Sequence, residues 1–392
     1  MFRWLLACVF SLAACPALAA DLIDFWDSPR HGGNSFNRLP PDGVYFQALA
    51  DYGASWVRLS YDKWAPAQRD FLLGDADQYP GLVNADLAQL IEVLDRAHQA
   101  GLKVVIAPLS LPGMRWSQNN GGVFDDRLWQ DRRYWQQSAD FWRDLALALR
   151  DHPAVAAYNL INEPAPEKQG GLAEHADLET MRTWYAREQG GTRDLPAFYR
   201  QVVAAIREVD PTTPVMLDAG WYAAADALSY WPQPLPDPRV LYSVHMYEPY
   251  AATSAPNLLR ATPYAYPGKV PFAGAQQRWD GARVAQYLKQ PFDWIAATGV
   301  PRNRLVVGEF GCMRRLPGCA QYLEDVLSVL DRKQLHWAFY SFREDSWDGM
   351  DYELGTDKVP WRYWQAIDKD EPDPLPRLST EAFEPIARRL RK

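Results

Sequence analysis

Basic charge is the first thing this chain lacks. Lys and Arg number 41 against 49 Asp and Glu, giving a formal net charge of −8. A nucleic-acid-binding protein needs a basic face, so the balance argues against that class, and it weakly disfavours a polyanionic substrate. No G-x-G-x-x-G or phosphate loop follows an early strand, which removes the usual support for a doubly wound nucleotide-binding sheet. No internal repeat and no low-complexity linker divides the chain. No apolar run is long enough to span a bilayer. Cysteine is scarce, four in 392 residues.

Two of those cysteines fall in an N-terminal leader. Met1-Phe2-Arg3 carries one positive charge, an uncharged and mostly apolar run follows from Trp4 to Ala14, and Ala17-Leu18-Ala19 supplies a small-residue cleavage site. This is the pattern of a secretory signal peptide. The expected division is residues 1–20 as signal peptide and 21–392 as one barrel domain, periplasmic or secreted. An alternative is a lipoprotein anchored through Cys15, since Leu12-Ala13-Ala14-Cys15 resembles a lipoprotein box. The two cysteines left, Cys312 and Cys319, are seven apart around Pro317-Gly318. In an oxidising compartment they can close a small disulfide loop, which would display Met313 to Leu316 as a basic tip over the cleft.

What the chain has in abundance is aromatic surface: 17 Trp and 20 Tyr, within a hydrophobic content of 48%. Most of these rings have a core to fill. Those in loops suit sugars, whose C–H faces pack on flat rings.

Helical stripes alternate with short apolar runs. Leu87, Leu90, Ile91, Leu94 and Ala97 recur at helical spacing after Asn84, and Gly101 stops the helix before the apolar run Lys103 to Ala107. Phe141, Leu145 and Leu149 precede Val155 to Ile161, and Phe198, Val202 and Ile206 precede Val215 to Leu217. Further strands are expected at Leu22 to Phe25, Trp56 to Leu59, Leu241 to His245, Leu305 to Val307 and Leu335 to Phe342. Eight buried strands separated by helices predict an α/β fold, a (β/α)8 TIM barrel in a single domain, with long loops at the C-terminal face of the strands.

Chemistry in such a barrel sits at the C-terminal strand ends. There the sequence places Arg58 in WVRLSY, Asn162 and Glu163 in YNLINEP, His245 and Tyr247 in YSVHMYEP, and Glu309 in VVGEFG. Taken singly, each has an ordinary explanation: an ion pair, a satisfied core histidine, a surface carboxylate. Together they put polar groups at one end of an apolar barrel. Glu163 and Glu309 belong to the fourth and seventh strands, across the mouth from each other. Two carboxyl groups about 5 Å apart are what retaining glycoside hydrolysis requires, one protonated and one ionised. Arg58 and Tyr247 can hold the second carboxylate charged, and His245 can tune the first. Asn162 can hold the hydroxyl beside the reacting carbon. Asn162 and Glu163 are adjacent, so a regular strand would point them apart, and the strand must break there.

These motifs, in this order, resemble glycoside hydrolase family five, the cellulase-type retaining glycosidases of the Asn-Glu-Pro superfamily. The resemblance covers roughly residues 21–342. It implies Glu163 as acid/base and Glu309 as nucleophile, supported by Arg58, Asn162, His245 and Tyr247, with no metal and no organic cofactor in catalysis. It implies an oligo- or polysaccharide as partner, a β-glucan first, with mannan, a glycolipid or a catalytically dead glycan-binding barrel as alternatives. No nucleic acid and no transmembrane segment are expected, and the protein is expected to be a monomer. Two departures stand out. Leu109 occupies a place where the family usually has His, and Phe342 appears where it usually has Trp at the end of strand eight, with Trp337 and Trp347 nearby. Trp116, Trp221 and Trp347 are further candidates for sugar contact, as are Asn119, Asn120, Tyr250, Tyr264, Tyr266 and Phe272 in the long loops.

Overall fold

The computed structural model describes residues 22–369, 371 and 373–391. The expected leader, with Cys15, lies outside the described residues. Eight parallel strands close a barrel: β1 (His31–Ser35), β2 (Trp56–Leu59), β3 (Lys103–Ile106), β4 (Val155–Asn159), β5 (Val215–Asp218), β6 (Val240–Met246), β9 (Leu305–Phe310) and β10 (His336–Phe339). They pair in that order and β10 returns to β1. β7 (Gly268–Phe272) and β8 (Ala275–Trp279) form an antiparallel hairpin within the long segment after β6.

The apolar runs become strands because helices cover them on the outside and neighbouring side chains fill the inside. β6 is buried along its whole length. Helix Arg132–Leu149 packs on helix Leu195–Arg207, turning Phe141, Leu145 and Leu149 and Phe198, Val202 and Ile206 inward. Each such side chain contributes about 1.5–3 kcal/mol relative to exposure.

The first strand is not where the apolar pattern puts it. Leu22–Asp27 is a 3-10 turn beneath the barrel. Its Trp26 is fully buried, donates from Nε1 to the Ala156 carbonyl at 3.2 Å and meets the Trp56 ring edge-on at 5.2 Å. The run is apolar because it plugs the barrel floor. The true β1, with sequence HGGNS, has no large apolar residue. It lies so close to β2 that a Cβ on Gly32 would stand 2.2 Å from the Trp56 carbonyl oxygen.

Cys312 and Cys319 form a disulfide with Cα atoms 5.6 Å apart. The loop they close is not a basic tip, because Met313, Arg314 and Leu316 are buried. Arg314 turns inward and donates to the carbonyls of Gly355 at 2.8 Å and Asp357 at 2.6 Å. Among the described residues no helix is long and apolar enough to cross a membrane.

Candidate active site

The centre of the barrel mouth is a single buried cation. Arg58 on β2 is fully buried, and its donors reach groups from around the barrel. Nε meets Asn159 Oδ1 at 2.7 Å, Nη1 meets Asn34 Oδ1 at 3.2 Å and Glu309 Oε1 at 2.6 Å. Nη2 meets Asn162 Oδ1 at 2.7 Å and Asp218 Oδ2 at 3.2 Å. The planar guanidinium fork suits such multiple acceptance, and burial without these partners would be prohibitive.

Glu309 receives a second donor on its other oxygen, the Tyr247 hydroxyl at 2.7 Å. Burial raises the Glu309 carboxyl above its ordinary range; His245 and Arg58 pull it down, Glu163 pushes it up and the Tyr247 hydrogen bond lowers it. A register shift between Val244 and His245 sets His245 opposite Glu309 in the pairing of β6 with β9. His245 Nδ1 lies 2.8 Å from Glu163 Oε1, and Nε2 lies 3.6 Å from Asp218 Oδ2. Burial works against an imidazolium there, but Glu309, Asp218 and Glu163 outweigh it and raise its pKa.

Glu163 solves the adjacency problem by backbone geometry. β4 ends at Asn159, and Glu163 takes a positive φ of 50°, a conformation that costs a non-glycine residue on the order of 1 kcal/mol. Its N–H donates to Asp218 Oδ2 at 3.1 Å, and the Asn162 N–H donates to the Pro108 carbonyl at 3.1 Å. The turn swings both side chains into the mouth. One oxygen of Glu163, one of Glu309 and one His245 nitrogen all lie within 4.8 Å of one another.

Two hollows of about 560 and 580 Å³ flank the carboxylates and meet at Glu163, Tyr247 and Tyr250. The first is walled by Trp221, Tyr222 and Phe272. The second holds Glu309 and Asn162 with Trp116, Tyr340, Trp347 and Leu109 around them. Trp116, Trp221 and Trp347 therefore line the cleft, and Leu109 stands at the mouth, where the motif comparison placed it.

Phe342 does not reach the cleft. It is 1% exposed and packs edge-on against Tyr45 and Phe339. β10 ends at Phe339 and the chain turns, so Tyr340 is the aromatic residue that meets the cavity. The Tyr340 hydroxyl and the Trp347 Nε1 both donate to buried Glu344 Oε2, at 2.7 and 2.5 Å. Lys63 Nζ closes the set on Glu344 Oε1 at 2.5 Å. In the long loops, Tyr250 and Phe272 reach the cleft. Tyr266 instead donates to Asp325 at 2.6 Å, and Tyr264 receives a hydrogen bond from Arg260 at 3.3 Å. Asn119 and Asn120 tie down backbone carbonyls of Asp62 and Val123.

Asn34, Asn159, Asp218 and Tyr340 are site residues that pattern reading passes over. Asp218 carried a signal: it is the one charged residue ending the apolar run VMLD. Among the described residues two groups are spaced closely enough for a cation, Glu163 with His245 and Glu309, and Glu174 with His175 and Glu248. The second set does not suit a metal, because its histidine is held as a cation. For His175 burial opposes the charge, but Asp226 and Glu248 lift its pKa to about 10, and an imidazolium offers no lone pair.

Residues 29–346 match the family model described as cellulase, glycosyl hydrolase family 5. The chain is 23% identical over 330 residues to a β-xylosidase of Phanerodontia chrysosporium, covering 79% of this chain and 57% of that one. It is 30% identical over 177 residues to a probable glucan 1,3-β-glucosidase A of Aspergillus fumigatus, covering 45% of this chain and 36% of that one. The match thus spans between about a third and three fifths of these relatives' length. A hyperthermophilic endo-β-1,4-glucanase solved with substrate superposes with a TM-score of 0.62 at 18% identity, over 93% of this chain and 99% of that one. At that identity the likeness is one of fold.

Proposed function

Because the chain belongs to glycosyl hydrolase family 5 and is a glycoside hydrolase, we propose that it cleaves a β-linked glycan with retention, by double displacement between Glu309 and Glu163. The observation that carries this is the carboxylate spacing: one oxygen of each lies within 4.8 Å of the other, in keeping with the ~5–5.5 Å separation of carboxyl groups in retaining enzymes and below the ~6.5–9.5 Å at which inverting enzymes place an attacking water.

The steps follow from what each carboxylate touches. Glu309, ionised against Arg58 and the Tyr247 hydroxyl, attacks the anomeric carbon. Glu163 delivers its proton to the departing oxygen, and the leaving sugar diffuses away. The glycosyl unit remains as an ester on Glu309. A water then gives its proton to Glu163 and attacks the same carbon, breaking the ester and restoring both groups. The two inversions leave the β configuration intact. His245, 2.8 Å from Glu163, orients the acid. Asn162 has its amide oxygen taken by Arg58, which turns its NH2 toward the hydroxyl next to the reacting carbon.

The attacked sugar must sit against Glu309, hence in the hollow of Tyr340, Trp116 and Trp347. The leaving group must sit beyond Glu163, in the hollow of Trp221 and Tyr222. A β-glucan is the favoured substrate, supported by the matched glucan 1,3-β-glucosidase. Export through residues 1–20 fits the Cys312–Cys319 disulfide, since such bonds persist in oxidising compartments. A panel of β-glucans and β-mannans, with the first-formed anomer read by NMR, tests this. The β anomer is expected first; an α first product would refute retention.

A further inference from the structure

Glu167 is a carboxylate that the proposed chemistry leaves unused. It sits four residues beyond Glu163 on the short helix Pro166–Gln169 and is fully buried. Among the described residues no Lys, Arg or His is paired with it, and burial raises its carboxyl to about 7 against the pull of its hydrogen bonds. An unpaired carboxylate in such a place is expensive, so its partners matter.

Both oxygens face the turn that follows β5. Oε2 accepts the Trp221 backbone N–H at 3.1 Å, and Oε1 accepts the Tyr185 hydroxyl. The joint admits nothing more: a Cβ on Gly220 would lie 2.0 Å from Oε1. The turn itself requires a hold. Trp221, Tyr222 and Ala223 have φ of 47°, 59° and 61°, three successive left-handed residues, each adopted against a steric penalty. Two more bonds come from the same side. The Tyr222 N–H donates to the Pro164 carbonyl at 3.2 Å, and Lys168 Nζ donates to the Tyr222 hydroxyl at 2.7 Å. The segment that begins with Glu163 thus grips the turn at three places. What the turn displays, Trp221 and Tyr222, is the wall of the hollow beyond Glu163.

We infer that Glu167 is a positioning residue for the leaving-group side, fixing the Gly220–Ala223 turn to the Glu163 loop and thereby setting recognition of the sugar units beyond the cleaved bond. This rests on the functional reading above. Among the described residues the hydrogen bonds of the Glu167 side chain go to Tyr185 and Trp221, neither of which lines the Glu309 hollow, so the effect is expected to be selective for one half of the substrate.

The test compares two substrates sharing one glycone: an oligosaccharide that the wild type cleaves, and the matching β-glycosyl fluoride, which has no sugar on the leaving side. Glu167→Leu should lower kcat/KM for the oligosaccharide about tenfold or more, the scale of one charge-assisted hydrogen bond. Turnover of the fluoride should stay within about twofold. Glu167→Gln, whose amide oxygen still accepts the Trp221 N–H, should restore most of the loss. Gly220→Ala keeps the carboxylate and attacks the same joint from the other side. It should reproduce the selective pattern, and it serves as the test if Glu167→Leu does not fold. Equal losses on both substrates, or no loss on the oligosaccharide, overturn this inference alone. A wild type that releases the α anomer first from the oligosaccharide overturns the retaining reading, a result distinct from either outcome of the Glu167 comparison.

Discussion

Deleting one oxygen, in Tyr247→Phe, tests what keeps Glu309 charged. The Tyr247 hydroxyl lies 2.7 Å from Glu309 Oε2, while Arg58 holds the other oxygen at 2.6 Å. Burial, then the charges of Glu309 and Glu163, push the phenol well above its usual range, so it remains a donor throughout any working pH. A hydrogen bond to a buried charged group contributes about 1.5–3 kcal/mol. At about 1.4 kcal/mol per pH unit, its loss should raise the Glu309 carboxyl by roughly one to two units beyond its already raised position. The sign is fixed: a donor favours the ionised form, so removing it favours the protonated form. Glu309 must be ionised to attack, so the acid limb of kcat/KM against pH, which reports the free enzyme, should move to higher pH by that amount. An activated aryl β-glycoside is the substrate of choice, with melting temperature followed in parallel to confirm an intact fold. An acid limb that stays in place in a folded variant would show that Tyr247 does not support the Glu309 charge and refute the reasoning.

Glu309→Gly should be nearly inactive on an aryl β-glycoside and regain turnover with azide, giving a glycosyl azide of inverted configuration; a retained product would remove Glu309 from the nucleophile role. Glu163→Gln should harm substrates with poor leaving groups far more than activated ones, because only the former need a proton, and equal losses would count against an acid role. Cys312→Ser with Cys319→Ser should cost about 2–3 kcal/mol for so short a loop and lower the melting temperature, with turnover showing whether the loop beyond Glu309 also positions it. His336 accepts from the Arg30 N–H through Nδ1 at 3.1 Å and faces the Asn303 carbonyl through Nε2 at 3.1 Å. Burial first of all lowers its pKa to about 4. The stability it contributes is therefore complete above about pH 6.5 and is lost as pH falls toward 4, on the order of 3 kcal/mol, so His336→Asn should flatten the fall in denaturation midpoint over that window.

Seven of the eight barrel strands are legible as apolar runs because parallel strands buried on both faces must be apolar. β1 is not, because its glycines answer to the close approach of β2, a constraint that a hydropathy pattern does not carry. The run at Leu22 misleads for the opposite reason: a plug buried under a barrel has the same composition as a strand inside it. In the site, the motif positions of Arg58, Glu163, His245, Tyr247 and Glu309 converge as their strand ends predict. Asn34, Asn159 and Asp218 escape notice because each is a lone polar residue whose partners are far away in sequence. The exchange of Phe342 for Tyr340 comes from where β10 stops. Residues two apart share a face only while the strand continues, and this one ends at Phe339.

The plug around Trp26 also decides which way the molecule can be held. Leu22–Asp27 lies under the barrel beside the 3-10 turn Arg302–Arg304 that leads into β9, and Asp27 is tied to Asn303 at 2.9 Å and Arg304 at 3.1 Å. Glu163 and Glu309 open on the opposite face. A resin link or a fused partner joined at Leu22 therefore attaches at the base and leaves the mouth turned toward the bulk. Immobilised by that end, the enzyme would still meet polymer chains too large to slip between protein and support.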